Sequence, residues 1–392
     1  MRSNYLIIQP FGATVIDGNT GKIDFVNDVA TLIAKGLIQE QEIQEIAKSI
    51  CDNYDVSEDE VLEDINEFVS AAPHLHNGRD WIIEGNENYL SIVQADLELT
   101  LTCNLQCEYC FAEAGPNAGK ENNEITIKEW MKICDWLLER GLKQATITGG
   151  DPVLSKAFWP VFNHLVDNGV ILQIFTNGYK VDGEFISRIS NKPINFVQIS
   201  LDSTIPETHE RYRGKGSFEK AYHAIVLLTK HKIPVVIGAS IFQDTVNEIE
   251  KLAEFALSVG AHLRCSPIEA RGRGILIDES LTQSAELRAL VHYSFMEATN
   301  QYPDVLIDIQ EQEPKIDEEL HCKFFCGLVT IGSDGIMKPC LQSKGFFVEA
   351  APWALEHRKT WEIKDITDHI AYSTVATINE ISPKQELLWV VS

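Results

Sequence analysis

From about residue 91 to 270 the chain alternates short apolar runs with stretches of helical periodicity, and that alternation limits the possible folds more than any other feature. Strands are predicted at Leu97–Leu101, Ala145–Thr148, Ile171–Phe175, Phe196–Leu201, Val235–Ile241 and Ala261–Arg264. Between them, helices are predicted around Ile127–Cys134 and at Phe158–Val166, Gly183–Ile189, Phe218–Leu228 and Ile249–Leu257. Six strands joined by crossover helices require parallel pairing with right-handed connections, hence an α/β sheet or a partial (β/α)6 parallel barrel. Chemistry in such folds collects beyond the C-terminal strand ends. Cys103, Gly149-Gly150-Asp151-Pro152, Thr176-Asn177-Gly178 and Asp202 are predicted there.

The 9 cysteines point the same way. Six of them fall into two tight groups, the total is odd, and the chain of 392 residues is too large for a disulfide-stapled domain. Grouped thiols in such a chain read as metal ligands. Cys103, Cys107 and Cys110 are spaced C-x3-C-x2-C, so three thiolates on one loop could hold three irons of a [4Fe–4S] cubane and leave the fourth iron open. A structural zinc normally closes with four ligands, and no fourth Cys or His lies nearby in sequence. The second group is Cys322, Cys326 and Cys340, where zinc also remains a reading. The Asp334-Gly335 pair signals a hairpin that would carry Cys340 back beside the other two thiols. Cys51, Cys134 and Cys265 read as buried apolar residues.

A net charge of −25 disfavours a nucleic-acid partner. No apolar run approaches the roughly 18 residues of a membrane span, and the apolar stretch at Leu6-Ile7-Ile8 is too short for a signal peptide, so a cytoplasmic location with no membrane partner is expected.

The first cysteine motif, with Tyr109 before its third cysteine, resembles that of the radical SAM superfamily, and Gly149-Gly150-Asp151-Pro152 resembles the family's GGEP-type segment with Asp in place of Glu. The resemblance implies that S-adenosylmethionine chelates the open iron and that one-electron reduction splits it into methionine and a 5′-deoxyadenosyl radical. It implies that Gly149, Gly150 and Asp151 line the methionine amino group, and that Tyr109, Asn177, Ser200 and Asp202 contribute to the nucleotide site. It further implies that Arg213 pairs with the methionine carboxylate. A plain surface ion pair for Arg213 and a strand-end turn for Ser200 and Asp202 are the simpler readings of the same residues.

Residues 1–72 read as a small winged-helix-type module with four basic and fourteen acidic side chains, residues 73–90 as a linker, 91–275 as the core and 276–392 as a less regular α+β extension. Strands are expected at Leu6–Ile8, Thr14–Ile16 and Lys22–Val26, followed by a helix through Ile43–Ile50 and another opened by a Ser57/Glu60 capping box. This module resembles the PqqD-like peptide recognition domain, which implies that a precursor's leader adds as a strand to the edge of Lys22–Val26. The second cysteine group resembles the twitch form of the SPASM extension, which implies one auxiliary [4Fe–4S] cluster, completed by Cys265, by a non-cysteine side chain or by no fourth protein ligand.

Over residues 5–260 the chain most resembles sactipeptide maturases of the sporulation-killing-factor type, in Gln9-Pro10-Phe11-Gly12-Ala13, Gln198-Ile199-Ser200-Leu201-Asp202 and Arg213-Gly214-Lys215-Gly216 among other segments. The expected activity is thioether formation between a cysteine sulfur and an α-carbon of a ribosomally made peptide, fed by an electron donor such as flavodoxin or ferredoxin. Other peptide cross-links, epimerisation, a small-molecule enzyme of the molybdenum-cofactor-synthesis type and a non-catalytic zinc scaffold are the competing readings.

Overall fold

The apolar runs near the N-terminus form β1 (Asn4–Gln9), β2 (Gly12–Ile16) and β3 (Ile23–Val26), an antiparallel meander with Tyr5 opposite Ile16 and Ile16 opposite Ile23. Asn27 accepts the Ala30 N–H and so caps α1 (Asp28–Ile38), a helix that the sequence reading did not anticipate. Next come α2 (Ile43–Cys51) and α3 (Glu58–Ala71). The capping box before α3 is complete: Ser57 N–H donates to Glu60 Oε2, and Glu60 N–H donates to Ser57 Oγ. Leu6, Val15, Ile33, Ile46, Ile50, Val61, Ile65 and Phe68 close one core, each fully buried aliphatic or aromatic side chain contributing about 1.5–3 kcal/mol.

In this computed structural model the described residues are 3–9, 12–18, 21–71, 81–87, 91–121, 124–268, 272–277, 285–303, 305–309 and 327–338. The described residues divide into two compact units, one of those up to 93 with 327–328 and the other of 94–309 with 329–338. The 73–90 span, expected to be a linker, contains β4 (Trp81–Gly85), which pairs in parallel with β1 from Asn4 opposite Trp81 onward. The loop-like amino-acid composition of 73–90 hid a strand of only five residues. The first sheet is therefore ordered β3-β2-β1-β4, and among the described residues β3 is an edge strand.

The second unit opens with β5 (Gln94–Glu98), α4 (Ala118–Glu121), α5 (Ile127–Glu139) and β6 (Gln144–Thr148). It continues through α6 (Phe158–Asp167), β7 (Ile171–Thr176), α7 (Gly183–Ile189) and β8 (Ile194–Ser200). Two consecutive helices follow, α8 (Pro206–Arg213) and α9 (Ser217–Lys230), then β9 (Val235–Ile241), α10 (Ile249–Val259) and β10 (His262–Pro267). The remaining elements are α11 (Ala285–Gln301), β11 (Leu306–Ile309), β12 (Leu328–Ile331) and β13 (Met337–Lys338).

Five of the six expected strands lie close to their expected bounds. The first is displaced toward the N-terminus, to Gln94–Glu98 instead of Leu97–Leu101, because the chain leaves the sheet before the cysteine loop. β11 adds a seventh, and the pairs from β5 through β11 are parallel. The sheet runs β11-β10-β9-β8-β7-β6-β5-β12-β13, open at both ends among the described residues. It is the mixed α/β architecture with a parallel sheet that the alternation demanded. Trp130, Phe158, Phe162 and Phe185, from α5, α6 and α7, are among its fully buried side chains.

The Asp334-Gly335 turn signal holds: β12 and β13 pair antiparallel around it, with Ile331 opposite Met337. Cys322, Cys326 and Cys340 lie outside the described residues. Cys134 and Cys265 are fully buried, as expected of small apolar residues, and Cys51 packs against the N-terminal core. Among the described residues no helix is long and apolar enough to cross a membrane.

Candidate functional site

The segment after β5 becomes the cysteine loop because β6 holds it. Leu99 N–H donates to Thr148 O at 3.0 Å, Gly150 N–H to Thr100 O at 2.7 Å and Asp151 N–H to Thr102 O at 3.0 Å. Gly149 has φ +128°, and a Cβ there would stand 2.3 Å from Thr100 O. On Gly150 a Cβ would meet Thr102 O at 2.5 Å. The close approach that these glycines allow is therefore to the chain's own backbone, immediately before Cys103.

Asp151 is fully buried, and its carboxylate faces the end of β7. It accepts from Thr176 Oγ1 at 2.9 and 3.1 Å, from Asn177 N–H at 3.3 Å and from Val153 N–H at 3.2 Å. Burial pushes this carboxyl up to about 6 despite those donors. Asn177, fixed in this way, turns its amide to the cysteine loop, with Nδ2 3.6 Å from Cys103 Sγ and 3.0 Å from Asn104 Oδ1.

Tyr109, Asp202 and Arg213 form one buried network. Arg213 makes a fork on Asp202, Nε to Oδ2 at 2.6 Å and Nη2 to Oδ1 at 2.8 Å, with Asp202 1% and Arg213 9% exposed. The surface ion pair is thereby excluded for Arg213. Tyr109 Oη also donates to Asp202, and Ser240 N–H donates to its Oδ1 at 2.9 Å. Both carboxylate oxygens are thus engaged by the protein, which sets Asp202 as the holder of Tyr109 and Arg213 rather than as a simple strand-end turn.

Burial disfavours the Asp202 charge, but the Arg213 guanidinium more than offsets this and holds the carboxyl below its ordinary value. His209, whose Nδ1 accepts the Asp202 N–H at 3.1 Å, is driven down to about 4 by burial and is neutral. Ser200 ends β8, half-buried and opposite Gly238 of β9.

The three cysteines pack with Leu105, Ala112 and Ala114. Burial pushes the Cys103 thiol up to about 12 and raises Cys107 as well, although Arg213 and Arg273 pull Cys107 back. Such thiols become thiolates only on a metal, which deprotonates its sulfur ligands outright. Leu105 N–H lies 3.4 Å from Cys103 Sγ, a donor suited to a thiolate.

Among the described residues no three His, Cys, Asp or Glu side chains surround a single-ion position, yet Cys103, Cys107 and Cys110 are near enough to feel one another's charge. A cubane asks for that arrangement, because each thiolate takes a different iron. The residues fit the cluster.

Sequence reasoning missed Arg273, which reaches the cysteine loop from beyond β10, and Ser240 and His209, which complete the Asp202 network. Each acts through a backbone contact that has no signature in local sequence.

Comparison with known proteins agrees with this geometry. Residues 97–256 match the radical SAM superfamily model, and residues 13–72 match the model of coenzyme PQQ synthesis protein D (PqqD). The mycofactocin maturase MftC of Mycolicibacterium smegmatis is 30% identical over 194 residues, 48% of each chain, so the chain spans about half the length of that curated relative. The sporulation killing factor maturation protein SkfB of Bacillus subtilis is 25% identical over 349 residues, 85% of this chain and 82% of the relative. The antilisterial bacteriocin subtilosin biosynthesis protein AlbA of the same species is 29% identical over 264 residues, 65% and 56% of the two chains. Among solved structures, Streptococcus suis SuiB bound to S-adenosylmethionine superposes with a TM-score of 0.60 at 15% identity, over 88% of this chain and 83% of that one, and so shares the fold. The superfamily is one of enzymes that bind a [4Fe–4S] cluster and S-adenosylmethionine, and the chain carries a radical SAM domain preceded by a PqqD-like domain.

Proposed function

We propose that the chain is a maturase that modifies a ribosomally synthesised precursor peptide by radical chemistry, with a sulfur-to-α-carbon thioether as the product. The observation that carries this reading is the union of a radical SAM domain and a PqqD-like domain in one chain. A [4Fe–4S] cluster on Cys103, Cys107 and Cys110, with S-adenosylmethionine at its open iron, would supply a 5′-deoxyadenosyl radical able to take one hydrogen atom from the peptide. The substrate thiol would give up its hydrogen as a proton, and the remaining electron would pass to the auxiliary cluster.

The chain's own residues do the rest. Leu105 N–H and the Asn177 amide direct donors at the Cys103 sulfur. Asp151 keeps Asn177 and Thr176 in place at the end of β7. Asp202 fixes the Arg213 guanidinium through Nε and Nη2, so Nη1 is the nitrogen assigned to the methionine carboxylate. Tyr109 is clamped edge-on to Phe242 at 5.2 Å and hydrogen-bonded to Asp202, so the aromatic wall of the nucleotide site has one orientation. Gly149, Gly150 and Ser200 complete that site.

In the N-terminal unit, β3 is the strand to which a leader would add. The Asp17 N–H donates to Lys22 O, so the antiparallel alternation turns the N–H groups of Ile23 and Phe25 away from β2 and toward an incoming strand. A soluble metabolite needs no such edge, which favours a peptide over a small-molecule substrate. The thioether rests on the resemblance to sactipeptide maturases. Cys322, Cys326 and Cys340 are assigned to one auxiliary [4Fe–4S] cluster, and a flavodoxin or ferredoxin to electron delivery.

Co-expression with the short cysteine-containing reading frames flanking the gene, followed by mass spectrometry, tests the proposal. Loss of two hydrogens per site with a blocked cysteine supports the thioether. An unchanged mass with altered stereochemistry would replace it with epimerisation. Peptides that neither bind residues 1–72 nor change would overturn the peptide assignment altogether.

A further inference from the structure

The segment 272–277 follows β10 and grips the cysteine loop. Gly272 has φ +53°, and a Cβ on it would stand 2.4 Å from Phe111 O and 2.6 Å from Cys110 O, so a larger residue would force the two segments apart. Arg273 then binds the loop three times. Its backbone N–H donates to Cys110 O at 3.1 Å, its Nε to Cys107 O at 2.9 Å and its Nη2 to Ala114 O at 2.8 Å. These carbonyls span the turn that carries two of the three cysteines.

We propose that Arg273 is a positioning residue for the [4Fe–4S] site, whose fork fixes the Cys107–Ala114 turn and whose fixed charge favours the reduced cluster. The inference rests on the radical SAM reading above. Reduction adds one negative charge to a group already carrying three thiolates, and a cation held beside them in a medium of low dielectric stabilises the more negative state.

Arg213 also lies near Cys107, but its fork is spent on the Asp202 carboxylate. The three acceptors of Arg273 are neutral carbonyls, so those bonds orient its charge without cancelling it. Lysine would keep the charge but could not span two carbonyls with a rigid fork. Charge and clamp can therefore be separated by substitution.

The test uses the full chain, reconstituted anaerobically with iron and sulfide and reduced stepwise with dithionite in the presence of mediators. The readout is the electron paramagnetic resonance signal that changes on adding S-adenosylmethionine, which isolates this cluster from any other. R273Q is expected to lower the reduced-to-oxidised ratio at a fixed potential about tenfold, equivalent to about 59 mV for a one-electron couple. R273K is expected to titrate within threefold of the wild-type ratio while losing iron faster to a chelator. An R273Q protein that titrates with the wild type overturns the proposal. Should R273Q take up no iron, R273K decides: a ratio within threefold of the wild type supports the role of the charge. An R273K ratio about tenfold below the wild type, or an R273K protein that also takes up no iron, contradicts it. If the wild-type chain itself shows no signal responsive to S-adenosylmethionine, the radical SAM reading fails, and the proposal falls with it for that separate reason.

Discussion

In the N-terminal unit the surface assigned to recognition is backbone, the outer row of N–H and C=O groups along β3, and almost any side chains could decorate it. In the parallel-sheet unit the assigned chemistry is in side chains at strand ends, where Cys103, Asp151, Asn177, Asp202 and Arg213 are buried. The first surface needs only a free edge in the right register. The second needs several groups held against their own desolvation cost. Recognition on the edge should therefore tolerate side-chain change and fail on loss of a backbone donor, whereas the buried site should fail on almost any change.

The sharpest test of that contrast is removal of the tripod. Replacing Cys103, Cys107 and Cys110 together with alanine is expected to lower iron and sulfide content by one cluster's worth and to abolish S-adenosylmethionine cleavage, while peptide binding to residues 1–72 is kept. Loss of both properties would break the contrast.

Next in size is Asp202→Ala, which strands the Arg213 charge in a buried place. Breaking such a pair by removing one partner costs about 3–5 kcal/mol, measured by urea unfolding of the iron-free chain. A cost below about 1 kcal/mol would show that the pair is solvated after all.

The Asp151 carboxyl gives a pH signature of similar size. Its folded value near 6 exceeds its ordinary 3.8, so the folded state holds the proton more tightly, and stability falls as pH rises from about 4 to 6. Two units correspond to about 3 kcal/mol. The difference in unfolding free energy between Asp151→Asn and the wild type should shift by that amount across this window in favour of the variant. A difference that does not move with pH would contradict the burial of a titrating carboxyl.

The smallest effect belongs to the edge. Ile23→Pro or Phe25→Pro removes one outward N–H while sparing the ladder to β2. About a tenfold loss of affinity for a bound precursor peptide is expected, with an unchanged melting temperature for the chain. Side-chain substitutions at β3 that weakened binding as much would move the recognition from backbone to side chains.

The same contrast explains what could be read in the amino-acid order. The parallel sheet and the two cysteine groups stood out because strand alternation and thiol spacing are local patterns. So did the Ser57/Glu60 capping box and the Asp334-Gly335 turn. β4 did not, since a strand of five residues within a span of loop-like composition has too little periodicity, and it joins the sheet by pairing with β1 far away in sequence.

Within the site, the residue types at Tyr109, Asp202 and Arg213 were legible, but their mutual bonding was not. Asp202, expected at the nucleotide site, also anchors an internal network that local sequence does not announce. Gly149 and Gly150 were expected to line the methionine amino group; in the structure the close approach they allow is to Thr100 and Thr102. Arg273 could not be found from sequence, because its targets are carbonyl groups that every residue carries.

The central claim is that three sulfurs on one loop hold a cluster whose open iron takes S-adenosylmethionine. Its most direct measurement is product formation by the reconstituted full chain with S-adenosylmethionine and dithionite, under strict exclusion of oxygen. The account predicts 5′-deoxyadenosine and methionine in equal amounts. Iron-loaded protein that leaves the nucleotide intact would contradict it.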